Sequence, residues 1–230
     1  MQFDESHWVE VIKRPDWYLE FNDFIDKAKL KVDAESSEHQ ELNKKIRHFF
    51  EDALKNGRVN LGQSGQDFDS ERSAVDTIVI HHTSAQPGYK LSYLNAVHLR
   101  NIYVPAYASG LSRGQPIWSG HFHDNQQVFW GYHWLMRMDG SFEHLLKDDQ
   151  IGWQAGNWEV NKRSIAICLD NDYENQDPTD EILQKLAVHV QQNYPEVKEI
   201  FGHREVRQGT VCPGGNFLDT WKPKLLNYLR

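Results

Sequence analysis

Two short and almost unbroken apolar runs constrain this chain most: Ile78-Val79-Ile80 within residues 76–81, and Ser164-Ile165-Ala166-Ile167-Cys168-Leu169. Each is too short for a buried helix and rich in β-branched residues, so each is expected as a buried strand. Helical patterns alternate with them. Residues 91–102 have helical spacing. Thr179 precedes Asp180 and Glu181 and heads a stripe of Ile182, Leu183, Leu186 and Val190, the signature of a capped amphipathic helix. Residues 132–138 and 141–146 flank Asp139-Gly140, a two-residue hairpin signal. A strand at 197–201 and a C-terminal helix from about 217 complete an α/β fold, a mixed central sheet flanked by helices. Residues 103–130 fit no element and are expected as a long loop.

Upstream the period is purely helical. Pro15 opens a stripe of Trp17, Phe21, Phe24 and Ala28. Ser37-Glu38-His39-Gln40 has the form of a capping box before Leu42, Ile46, Phe49, Ala53 and Leu54, and Gly57 is placed to end that helix. A polar, Gly/Ser/Asp-rich stretch follows, so the chain divides into a helical N-terminal extension over 1–73 and a second domain over 74–230. The extension is expected to cap an apolar face of that domain; an interaction or inhibitory element is the alternative. At 230 residues the chain can bury a core without disulfide staples.

Composition narrows the partners. The net charge of −8 argues against nucleic acid or a polybasic membrane adaptor. A mean hydropathy of −0.70, with no apolar run near 18 residues, argues against a membrane span. The first residues hold acids and no apolar stretch, so the chain is expected to be cytoplasmic as synthesised, with release by lysis or by signal-independent export as further routes.

Twelve histidines and two cysteines are the chemical raw material. His81 closes the first apolar strand, and because strand neighbours face opposite ways, only one of His81 and His82 can enter a given site. His203 follows the 197–201 strand, and a Gly-containing loop leads from it to Cys212 and Pro213. Two imidazoles and a thiolate match the protein ligands of a catalytic zinc ion with one open position. Spacing alone is a weak signal for this, and packed or solvated histidines remain the alternative.

Four segments taken in order, IVIHHTSA, GYHWLMRMDG, NKRSIAICL and GHREV…CPG, resemble the zinc-dependent N-acetylmuramoyl-L-alanine amidases of type 2 over about residues 74–230. That family includes amidase-type phage lysozymes and peptidoglycan-recognition proteins. The resemblance implies one Zn2+ held by His81, His203 and Cys212. It also implies a catalytic Tyr132 beside the metal, and Thr210 where relatives carry Lys or Thr. The implied substrate is peptidoglycan or a muropeptide, cut between N-acetylmuramic acid and L-alanine. A non-catalytic recognition module is the second reading, although binding-only members commonly lack the cysteine. Monomer is the favoured state.

This sequence departs from the family in two places. Gln154-Ala155-Gly156 stands where many relatives read His-Ala-Gly, leaving Gln154 a substrate-positioning role, because Gln cannot exchange protons near neutral pH. Cys168 stands where the recycling amidases carry Glu and is expected to be a buried, inert thiol. Trp153 and Trp158, which flank Gln154, are candidate cleft walls. His98, His133, His144 and His189 are expected as packed or solvated side chains, and His121 and His123 lack a third partner for a metal.

Overall fold

A computed structural model describes residues 2–28 and 37–230 of the chain. The described residues form two compact units, each assembled from two separated stretches. One joins the residues up to Asp67 with Lys90–Trp130; the other joins Phe68–Tyr89 with Gly131–Arg230. These units do not follow a division at 73/74, because residues 90–130 pack with the N-terminal helices. No helix among the described residues is long and apolar enough to cross a membrane.

The first unit is helical. α1 (Glu5–Val11), which the sequence reading did not anticipate, is capped by Asp4, whose carboxylate accepts from the Ser6 and His7 amides. α2 (Trp17–Lys27) and α3 (Ser37–Lys55) follow the stripes read from the sequence. The position that would cap α3 lies outside the described residues. Gly57, at φ 62°, ends α3: its own amide bonds Leu54 O, and the Arg58 amide bonds Ala53 O. This is the left-handed stop that glycine permits. α4 (Leu91–His98) runs through a π-helical turn (Leu99–Tyr103) into α5 (Val104–Ser109). Pro105 has no amide proton to offer an α-helix, and the widened turn immediately before it lets the helix pass.

This continuation corrects the expected loop over 103–130. Its second half holds a further element, a ribbon of β2 (Phe122–His123) and β3 (Gln126–Gln127). The ribbon turns at Asp124 and Asn125, both at positive φ. Too few residues alternate here for a period to show. The apolar faces of α2 and α3 bury Trp17, Tyr18, Phe21, Ile46 and Phe50 against Leu99, Val104 and Phe129. The N-terminal helices therefore share a core with residues 91–129.

The second unit holds a five-stranded mixed sheet. Its strands are β1 (Thr77–His82), β4 (Trp134–Met136), β5 (Phe142–His144), β6 (Ser164–Leu169) and β7 (Glu199–Gly202), in the order β5-β4-β6-β1-β7. β1 pairs in parallel with β6 and β7, and β4 with β6; only the β4–β5 hairpin is antiparallel. That hairpin turns at Gly140, φ 81°, as Asp139-Gly140 implies, and α6 (Trp158–Arg163) leads directly into β6. One sheet face carries Ile78, Ile80, Ile165, Ile167 and Leu169. It packs on α7 (Asp180–Asn193), capped by Thr179, and on a C-terminal segment, a π-helical turn (Phe217–Trp221) followed by α9 (Lys222–Tyr228). The other face presents Thr77, Val79 and His81 beside Ser164, Ala166 and Cys168, since parallel register partners project to the same side.

Candidate metal centre

Strand alternation separates the two histidines of β1. His82 falls on the α7 face, where its Nδ1 accepts from the Tyr173 amide at 3.0 Å and its Nε2 meets Ser84 Oγ at 2.8 Å. Burial lowers its pKa. It is a satisfied structural histidine. His81 falls on the opposite face, buried, its ring 4.7 Å from that of His203 and 5.0 Å from that of Tyr132.

The segment from Gly202 to Gly215 brings the other donors to His81. A side chain at Gly202 would put its Cβ 2.5 Å from the Phe217 ring and 2.6 Å from Pro213 Cδ, so the close approach of these pieces requires glycine. α8 (His203–Val206) begins there, and its Glu205 carboxylate accepts from the Gly202 amide at 2.8 Å. Lys222 pairs with that carboxylate at 2.6 Å. Arg204 holds the returning loop: its amide bonds Cys212 O at 2.8 Å, and its guanidinium bonds the Gly214 and Gly215 carbonyls at 3.1 and 2.9 Å. Each residue of Gly-His-Arg-Glu thus has a separate task in presenting one imidazole and one thiol.

The donor atoms of His81, His203 and Cys212 lie within 4.8 Å of one another, and among the described residues no other group of His, Cys, Asp or Glu converges in this way. Cys212 Sγ is 3.7 Å from His81 Nδ1. His203 Nε2 is buried with no hydrogen-bond partner among the described residues. Burial pushes the Cys212 thiol up to about 12. Burial, then the nearby Arg207 cation and His82, pull His203 down to about 4. A partly buried setting that disfavours both the thiolate and the imidazolium needs a cation to bring out the thiolate, and this donor set fits zinc.

The surroundings of this triad were expected only in part. Tyr132 is held by burial in its phenol form, and its hydroxyl meets the Cys168 thiol. Thr210 Oγ1 accepts from the Cys212 amide at 3.1 Å, keeping its own proton to donate. Cys168 is fully buried and free, its thiol pushed up by burial, yet it lies on the His81 face as the register partner of His81. Gln154, expected at the substrate, is 7% exposed, and its Oε1 lies 2.5 Å from His81 Nε2.

The family model for N-acetylmuramoyl-L-alanine amidases matches residues 71–215, more than half of the chain. The chain belongs to this amidase family. No curated protein matches it in sequence. Among solved structures it is similar to the endolysin amidase LysCS of Clostridium intestinale, at 21% identity over 68% of this chain and 85% of that one, with a TM-score of 0.46. It is similar to an AmpD derivative at 19% identity, over 71% and 89% of the two chains, with a TM-score of 0.49. Drosophila PGRP-LB gives 24%, 68%, 83% and 0.40 for the same measures.

As a member of the family the chain is a peptidoglycan amidase, and the matched span contains every candidate site residue named from the sequence. The Trp153 and Trp158 rings meet at a tilt, 5.2 Å apart, each contacts Phe68 edge to face, and Trp158 Nε1 donates to Glu71 at 2.9 Å. His133 is spent on the Gln150 carbonyl and the Ala166 amide. His121 is buried, while His123 sits on the ribbon beside Asp124.

Three residues of the second unit escaped the sequence reading. Ser164 supports Gln154, and a polar residue opening an otherwise apolar strand was the available signal. Arg207, exposed, lies across Gly156 with its Cδ where a β-carbon would come within 2.6 Å, one helical turn after His203. Asp170, buried, gathers the Gly88 and Tyr89 amides and Arg137. Nothing local in the sequence marks either Arg207 or Asp170.

Proposed function

We propose that this amidase is zinc-dependent and cleaves the amide between N-acetylmuramic acid and L-alanine in peptidoglycan or its muropeptide fragments. The convergence of His81, His203 and Cys212 within 4.8 Å carries this reading. Zinc, when bound, supplies a Lewis acid for the amide carbonyl and a nucleophilic water near neutral pH.

The chain's own residues do the rest. His81, His203 and Cys212 would hold the ion as its three protein donors. Tyr132, kept protonated by burial and tilted against the His81 ring, donates to the carbonyl oxygen as it gains charge. Thr210 anchors the cysteine loop and turns its hydroxyl proton toward the same oxygen, without adding positive charge. Burial first, and then the Arg207 cation one turn beyond, keep His203 a neutral donor.

The test is release of stem peptide from a defined muropeptide, with zinc measured in the same samples. His203→Ala is expected to lose both zinc and turnover. Full turnover by metal-free protein overturns the reading.

A further inference from the structure

The Gln154 side chain is enclosed rather than offered to solvent, and both ends of its amide are engaged. Its carbonyl oxygen meets His81 Nε2 at 2.5 Å, and its amide nitrogen donates to Ser164 Oγ at 2.9 Å. Ser164 is fully buried. The backbone beneath is tied down as well: the Gln154 and Ala155 amides both donate to Asn161 Oδ1, at 3.3 and 2.8 Å. Ser164 belongs to β6, on the face that carries His81 and Cys168, so the supporting hydroxyl is fixed by the sheet itself.

We propose that Gln154 is a positioning residue that locks the tautomer and ring orientation of His81 for metal binding, and is not a substrate contact. A neutral imidazole has one N–H and one lone pair. A carboxamide oxygen can only accept, so the partner facing it, Nε2, carries the proton. The lone pair is then on Nδ1, the atom 3.7 Å from Cys212 Sγ. The NH2 group of the amide is directed at Ser164 Oγ, and its oxygen is the atom turned to His81. An outer partner of this kind fixes a ligating ring and raises its basicity. Glutamine does this without a charge and without a proton to exchange. The chain Ser164–Gln154–His81 therefore runs from the sheet to the metal position.

This inference rests on the proposed zinc site, and the experiment separates the two. Zinc affinity of the full-length protein is measured by competition with a chromophoric chelator, with no substrate present. Gln154→Met keeps the volume and removes the acceptor, and is expected to weaken zinc binding about 10- to 100-fold. Gln154→Glu restores an acceptor and is expected to return affinity to within a few-fold of the parent, which a mere packing role would not produce. In metal-free protein labelled with 15N-histidine, the His81 resonances, assigned by His81→Asn, are expected to show Nε2–H alone, and Gln154→Met to give a tautomer mixture. Unchanged zinc affinity in Gln154→Met together with a raised KM assigns Gln154 to the substrate and overturns the proposal, as does an Nδ1–H tautomer in the parent. If the parent binds zinc no better than Cys212→Ala, the zinc site itself falls.

Discussion

Cys212 Sγ and His81 Nδ1 lie 3.7 Å apart although 131 positions separate them in the chain. Only the folded second unit brings these atoms together, through the β1 register on one side and the Gly202–Gly215 segment on the other. An ion bound there stabilises the native state over the unfolded one by mass action, about 4 kcal/mol at a free concentration a thousand times Kd. Chelation is therefore expected to lower the thermal midpoint of the parent and to leave that of Cys212→Ala unmoved. Equal shifts in both would place the metal elsewhere.

Tyr132→Phe removes one hydroxyl from beside His81 and leaves the three donors untouched. Zinc content should stay at the parental level while kcat falls about 100- to 1000-fold, as loss of one preorganised oxyanion donor does. A parental kcat would make Tyr132 an ordinary aromatic of the strand.

Arg137 binds Glu143 and Asp170 at once, with Nη1 2.6 Å from Asp170 Oδ2 and a further bond to Tyr89 O. Glu143 is 37% exposed and gains little from the pair, whereas Asp170 is 1% exposed and depends on it. Arg137→Met leaves that carboxylate buried with only the Gly88 and Tyr89 amides, at a cost of about 3 kcal/mol. Urea unfolding measures it, and a loss below about 1 kcal/mol would mean that water already reaches Asp170.

His189 is buried against Phe142, with ring centroids 3.8 Å apart, and its Nε2 has no hydrogen-bond partner among the described residues. Burial, with a smaller push from His144, holds it at about 4, against the opposing pull of Asp148. The unfolded chain takes up this proton near pH 6.5, before the native state does. Its stabilising contribution is thus complete above pH 6.5 and lost as pH falls toward 4. The urea midpoint should drop between pH 7 and 5, and drop less in His189→Leu. Parallel pH profiles would assign the loss to other groups.

Some of this was legible because its causes are local. Ile78–Ile80 and Ser164–Leu169 become buried strands, Asp139-Gly140 turns the hairpin, and Thr179 caps α7, each through chemistry confined to a few neighbours. The His81, His203 and Cys212 set was named through a family resemblance, since nothing in their spacing shows that they converge. What escaped depends on distant partners. The passage of the 91–109 helix through Pro105 needs a widened turn that no period reveals. The N-terminal helices find their core in Leu99 and Val104, far along the chain. The contact between Gln154 and His81, 73 positions apart, has no local signal either.

The most direct measurement is parallel determination of zinc stoichiometry and stem-peptide release in the parent and in Cys212→Ala, with muropeptide as substrate. The parent is expected to hold one zinc per chain and turn over, and Cys212→Ala to lose both together. Undiminished peptide release by a Cys212→Ala protein shown to be free of zinc would contradict the account.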